Sequence, residues 1–193
     1  PFEGLCFVDT LDLAEGSQMR LDFMSERNTE RVYRQKAAPI TVIIGNPPYN
    51  AKQQNENDNN KNRIYEIMDQ RVRETYAADS VATNKNRLSD AYVKFFRWAA
   101  DRLEGRDGIV CYVSNNSFID GISYDGMRKH LLEDFTKIYH FDLSGNARTA
   151  GERRQREGGN VFDDNIRVGV GITVAIRSTK HAKRSLFFHR VPD

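Results

Sequence analysis

Residues 40–49 of this chain read Ile-Thr-Val-Ile-Ile-Gly-Asn-Pro-Pro-Tyr. The first five side chains are all β-branched, and a run of this kind closed by glycine is typical of a strand buried in a parallel sheet. The polar residues 46–49 then fall at the carboxyl end of that strand. Ligands of open α/β sheets bind at this edge, so the same ten residues indicate both a fold and a site.

The chemistry of residues 46–49 suits a planar group that carries an amino nitrogen. Pro47 and Pro48 have no N–H of their own and a fixed φ, so their carbonyls are available as acceptors. Asn46 adds a side-chain carbonyl, and Tyr49 adds a ring on which a planar group can stack. The alternative is a purely structural turn in which the prolines end the strand.

The rest of the chain alternates between strand and helix patterns. This order predicts an α/β fold with a parallel sheet and helices on its faces. Two late strands with no helix between them predict an antiparallel strand at the edge. Residues 50–62 are rich in asparagine and predict a polar loop. The predicted strands are 40–44, 109–113, 137–143, 168–176 and 186–191, and the predicted helices are 88–103 and 123–135.

Composition excludes several classes of protein. The chain has 193 residues and a net charge of only +2, so affinity for nucleic acid would have to come from local patches. Four arginines in the predicted loop 146–159 could contact phosphates, or could simply be solvated. No run is long and apolar enough for a membrane helix, and two distant cysteines give no disulfide framework, which predicts a cytoplasmic protein without membrane contact. The four arginines are Arg148, Arg153, Arg154 and Arg156.

Residues 46–49 resemble motif IV of the S-adenosylmethionine-dependent amino-methyltransferases. From residue 5 to about 178, the chain resembles their DNA adenine-N6 branch in its gamma motif order, as found in type ISP and type IIG restriction–modification enzymes. Four further segments carry this resemblance in order. They are 7–11 (motif III), 92–96 (motif V), 108–115 (motif VI), and 160–162 followed by 168–170 (motif VIII).

The resemblance implies a fold, a reaction and a set of roles. The fold would be a Rossmann-like class I methyltransferase sheet with helices on both faces, and the partner double-stranded DNA. Asn46 and the Pro47 carbonyl would accept the two protons of adenine N6, with Pro48 and Tyr49 completing the catalytic motif. Tyr49 and Phe162 would stack on the flipped base. Asp9 would contact the adenine of the cofactor, S-adenosyl-L-methionine.

One part of the family pattern is missing from these residues. The Phe-x-Gly-x-Gly turn of motif I, which is the main cofactor-binding motif, does not occur in the sequence. We therefore expect residues 1–178 to be a partial catalytic domain, inactive by itself, from a larger bacterial or archaeal protein. Residues 179–193 would begin a following basic segment or form an edge strand. Nuclease, helicase or specificity domains could be fused in the parent polypeptide.

Two other functions remain open at this level. The same motif serves enzymes that methylate a protein glutamine or guanine N2 of RNA, because both present a planar nitrogen donor. A nucleic-acid-binding remnant without catalysis would also explain the missing glycine turn. The four histidines show no paired spacing, so the sequence predicts no metal site.

Overall fold

The computed structural model describes residues 4–15, 26–48, 64–144, 168–181 and 183–191. A 3₁₀ helix at Leu11–Leu13 comes first, and further 3₁₀ turns lie at Asn86–Ser89 and Ile122–Tyr124. A π-helical turn at Arg73–Ala77 extends the second α-helix. The helices are α1 (Glu26–Ala37), α2 (Glu66–Val72), α3 (Ala91–Arg102), α4 (Ser117–Asp120) and α5 (Asp125–Asp134). The strands are β1 (Val42–Gly45), β2 (Gly108–Asn115), β3 (Lys137–Asp142), β4 (Val170–Arg177) and β5 (Ser185–Arg190).

These five strands form one mixed sheet in the order β1-β2-β4-β3-β5. Strand β1 runs parallel to β2, and β3 runs parallel to β5. Strand β4 is antiparallel to both of its neighbours, β2 and β3. The prediction of an α/β sheet whose first two strands are parallel is therefore confirmed.

The predicted place of the antiparallel strand was wrong. Strand β4 lies inside the sheet, and the outer strand β5 is parallel to its neighbour. The physical reason is visible in burial: β4 side chains are buried or half-buried along the whole strand, whereas five of the six β5 residues are exposed. A strand that is apolar on both faces gains most from two neighbours, so it occupies an inner position.

The buried core lies between the helices and one face of the sheet. The apolar stripe of α3 packs there with α2 and α5 against alternate strand residues, among them Ile43, Tyr112 and Ile138. On the opposite face, Ile44 is 78% exposed and Phe141 41% exposed within the described part of the chain. The sequence predicted helices on both faces of the sheet. Within the described residues, the helices pack on one face.

Candidate functional site

Asn46 lies where the sequence predicted it, directly after the carboxyl end of β1. The parallel pairing of β1 with β2 runs as far as Gly45 opposite Tyr112, so the following residues extend beyond the ladder. The Asn46 side chain is exposed and Pro47 is buried. A Cβ atom on Gly45 would lie 3.1 Å from the Tyr112 ring, so glycine lets the strand end close onto that ring. The exposed Asn46 amide thus lies between the half-buried Gly45 and the buried Pro47.

A cavity of about 430 Å³ adjoins this strand end. Its wall combines the polar turn with aliphatic and aromatic side chains, which is the usual composition of a small-molecule site. One side of the wall comes from the segment around the first 3₁₀ helix. The lining includes Thr10, Leu13, Ile40, Asn46, Pro47 and Trp98.

The predicted cofactor-binding acid, Asp9, lies next to that cavity wall. Its Oδ1 accepts a hydrogen bond from the Leu11 backbone N–H at 3.0 Å, and its Oδ2 accepts one from the Tyr65 hydroxyl at 2.7 Å. Because the neighbouring Thr10 lines the same cavity as Asn46, the fold brings the two predicted functional segments to one place. Both carboxylate oxygens are held in a defined orientation.

A buried polar network that the sequence did not predict joins the carboxyl ends of β2 and β3. Asn116 donates from Nδ2 to Asp142 Oδ1 at 2.6 Å, and its Oδ1 lies 3.1 Å from His140 Nε2. The other ring nitrogen of His140 lies 2.9 Å from Thr173 Oγ1. Arg190 on β5 donates to Asp142 Oδ2 at 2.6 Å. The network fixes the turn that follows β2 to three other strands.

Electrostatics and packing agree on how this network is protonated. Burial lowers the pKa of His140 to about 4, and nearby Asp142 opposes that shift. A neutral imidazole that donates from Nε2 to Asn116 and accepts at Nδ1 from Thr173 satisfies every distance. A Cβ on Gly171 would lie 2.1 Å from Asn116 Oδ1, so only glycine fits here. The only sequence signal was a histidine at an inward-facing position of a strand.

A second unusual acid is Asp90, immediately before α3. Its side chain is only 3% exposed, and burial raises its pKa to about 6. The first turn of α3 places the ring of Tyr92 6.3 Å from the ring of Phe118, which follows the carboxyl end of β2. Asp90 therefore lies at the same end of the sheet as Asn46.

Several predicted site residues lie outside the described residues. This holds for both base-stacking candidates, for all four arginines, and for the whole of the predicted loops 50–62 and 146–159. Their roles remain predictions from the sequence. The residues concerned are Tyr49, Arg148, Arg153, Arg154, Arg156 and Phe162.

A surface cluster beside α5 brings together Asp79, His130 and Glu133. The Lys129 ammonium lies 2.8 Å from Asp79 Oδ2. That ion pair already neutralises the acid, so we assign no ion to the cluster.

Within the described residues, no helix combines the length and apolar character needed to cross a bilayer.

Comparison with known proteins places these features in a family. The family model described as the Eco57I restriction-modification methylase matches residues 16–147 of the chain. No match was found among curated proteins.

Three solved structures resemble the whole chain. A cryo-EM structure of a DrdV–DNA complex has a TM-score of 0.88 and 50% sequence identity, covering 100% of this chain and 18% of that one. A nuclease-deletion mutant of the Type ISP restriction-modification enzyme LlaGI, in complex with a DNA substrate mimic, has a TM-score of 0.90 and 38% identity, covering 100% and 16%. The ATP-dependent Type ISP restriction-modification enzyme LlaBIII, bound to DNA, has a TM-score of 0.89 and 39% identity, covering 100% and 13%. The chain therefore spans less than one fifth of each of these proteins.

Proposed function

This chain belongs to the Eco57I restriction-modification methylase family, and from that premise we propose that it is the catalytic portion of a DNA adenine-N6 methyltransferase. The observation that carries the proposal is the exposed Asn46 amide at the carboxyl end of β1, followed by the buried Pro47, beside a cavity. The resemblance stated from the sequence to restriction–modification methylases is confirmed by the family match. The family match does not specify which base is methylated; adenine and its N6 atom are part of our proposal.

The proposed chemistry is positioning combined with polarisation by hydrogen bonds. The side-chain oxygen of Asn46 and the backbone carbonyl of Pro47 accept the two protons of an exocyclic amino group. Hydrogen bonds from both N–H groups to these acceptors draw the nitrogen lone pair out of conjugation with the ring. That nitrogen thereby becomes a nucleophile. Fixed acceptors need little reorganisation during the reaction, so they can stabilise developing charge without a general base.

The residues present fit an adenosyl cofactor. Asp9 supplies a carboxylate held by two hydrogen bonds, which suits recognition of an exocyclic amine. Leu13, Ile40 and Trp98 supply apolar wall in the adjoining cavity. S-adenosylmethionine, when bound, supplies an electrophilic methyl group. Asp9 would hold the adenine of that group, and Asn46 would hold the acceptor nitrogen.

Double-stranded DNA is the proposed partner. The target nitrogen cannot be reached inside a duplex, so the base must leave the stack before Asn46 can bind it. Tyr49 and Phe162 would stack on the extruded base, and Arg148, Arg153, Arg154 and Arg156 would contact phosphates. The similarity to three proteins whose structures were solved with DNA supports this partner over RNA or protein. Two of these proteins are Type ISP restriction-modification enzymes that are much longer than this chain. This supports the proposal that the complete polypeptide is larger and has further domains.

Identification of the methylated nucleoside tests this proposal. The complete polypeptide is incubated with unmethylated duplex DNA and methyl-labelled S-adenosylmethionine, and the digested nucleosides are separated by mass spectrometry. We expect label in N6-methyl-2′-deoxyadenosine only. Label in a methylated cytosine, or no label in DNA while a protein or RNA substrate becomes labelled, would contradict the proposal.

A further inference from the structure

Tyr65 is the residue that precedes α2, and it lies directly against the segment that contains Asp9. Its hydroxyl donates a hydrogen bond to Asp9 Oδ2 at 2.7 Å, across 56 residues of sequence. The tyrosine is buried, with 9% of its surface exposed, whereas Asp9 is only half-buried. A buried phenol thus contacts a carboxylate that remains partly accessible.

A cluster of charged side chains holds Tyr65 in place. The backbone N–H of Tyr65 donates to Asp69 Oδ2 at 3.1 Å. Asp69 Oδ1 pairs at 2.5 Å with the ammonium of Lys94, which is itself 7% exposed. The same ammonium lies 5.3 Å from the centroid of the Tyr65 ring. Residues of α2 and α3 therefore fix both the backbone and the ring of Tyr65.

These contacts constrain Asp9 from two sides. The Leu11 N–H at 3.0 Å holds one carboxylate oxygen, and the Tyr65 hydroxyl holds the other. The first contact is local and comes from the turn itself. The second comes from the residue that precedes α2, so it ties the Asp9 carboxylate to that helix.

We propose that Tyr65 is a positioning residue that orients the Asp9 carboxylate to receive the amino group of the cofactor adenine. This inference rests on the proposed function, because it takes Asp9 as a contact of the cofactor. Tyr65 acts through Asp9. Its hydroxyl lowers the cost of ordering the carboxylate before the cofactor binds.

The test is Tyr65→Phe in the complete polypeptide, which removes the hydroxyl and keeps the ring. Binding of S-adenosylhomocysteine, which carries the same adenine, is measured by calorimetry without turnover. Loss of one hydrogen bond predicts roughly three- to tenfold weaker binding. The rate of methyl transfer at saturating cofactor should stay close to wild type, so KM changes and kcat does not.

Two comparisons separate positioning from simple support of the fold. Asp9→Asn should weaken binding at least as much, and the double variant should bind no more weakly than Asp9→Asn alone. Glu15→Ala is the matched control, because Glu15 accepts hydrogen bonds from the Ile67 and Met68 N–H groups beside Tyr65. That change should lower the melting temperature and leave cofactor affinity near wild type.

The outcomes distinguish this inference from the proposed function. Equal affinity of Tyr65→Phe and wild type, or additive effects of Tyr65→Phe and Asp9→Asn, would overturn the role of Tyr65 and leave the methyltransferase proposal standing. Wild-type protein that binds neither S-adenosylhomocysteine nor S-adenosylmethionine would overturn the proposed function itself.

Discussion

His140 shows how a single buried residue makes this structure sensitive to pH. Its ring is 1% exposed and hydrogen-bonded on both sides, to Asn116 and to Thr173. The pKa of His140 is lowered by burial from the usual 6.5 to about 4. Between these two values the unfolded chain binds a proton that the folded chain excludes. Stability therefore falls as pH falls through this window, and it is fully present above pH 6.5.

We predict a measurable loss of local stability in β3 and β4 on acidification. From pH 6.5 to 5, this histidine should remove on the order of 1–2 kcal/mol of unfolding free energy, because the unfolded chain takes up its proton over this range. Hydrogen exchange of the strand amides, corrected for intrinsic rates, measures this change. His140→Gln, which does not titrate, should show a smaller loss than wild type. The same loss in both proteins would contradict this prediction.

At the scale of elements, one buried guanidinium joins two helices. Arg97 on α3 lies 2.8 Å from Asp101 on the same helix and 2.9 Å from Asp134 at the end of α5. Its side chain is 4% exposed. Arg177 at the end of β4 also approaches Asp134, at 3.4 Å. Helices α3 and α5 and the end of β4 thus share one charged cluster away from the candidate site.

We predict that Arg97→Leu destabilises the fold strongly. Removing Arg97 takes the nearest counter-charge from the half-buried Asp134 and one of two from Asp101, which keeps Arg71 at 2.9 Å; losing such charged partners typically costs about 1–3 kcal/mol. Arg34→Ala is the matched control, because Arg34 pairs with Glu30 at 3.8 Å on the exposed surface of α1. That variant should unfold at the wild-type denaturant concentration. Similar unfolding midpoints for the two variants would contradict the prediction.

The elements differ in how far the sequence could predict them. The strands and α3 follow clear patterns, such as Tyr92, Phe96 and Ala99 on one helix face, and the structure contains them within a few residues. Helix α1 buries no side chain, so it has no apolar stripe to read. Helix α2 has only seven residues and depends on packing against α3. The inner position of β4 depends on which strands pair, and periodicity carries no information on pairing.

At the scale of the whole molecule, the fold brings together residues that are distant in sequence. Asn46 and Asp9 belong to separate sequence motifs, and the structure places their segments around one cavity. Tyr65 had no sequence signal, because its role depends on a contact 56 residues away. The His140 network was missed for the same reason. Motifs identify groups that act on a ligand, whereas the groups that orient them appear only in the folded chain.

The proposed chemistry makes a specific prediction for Asn46. Asn46→Ala in the complete polypeptide should reduce methyl transfer about a hundred- to a thousandfold, because it removes an acceptor needed mainly in the transition state. Cofactor binding should stay near wild type, since Asn46 contacts the substrate amine. Asn46→Asp keeps an acceptor oxygen and should retain more activity than the alanine variant.

The most direct measurement is therefore the rate of tritiated methyl incorporation into duplex DNA by wild type, Asn46→Ala and Asn46→Asp. Each is compared at saturating cofactor, with S-adenosylhomocysteine affinity measured alongside. We predict that the rate falls from wild type to Asn46→Asp and again to Asn46→Ala, with unchanged affinity for S-adenosylhomocysteine. Incorporation by Asn46→Ala at a near wild-type rate would contradict the assignment of Asn46 to catalysis and, with it, the proposed mechanism.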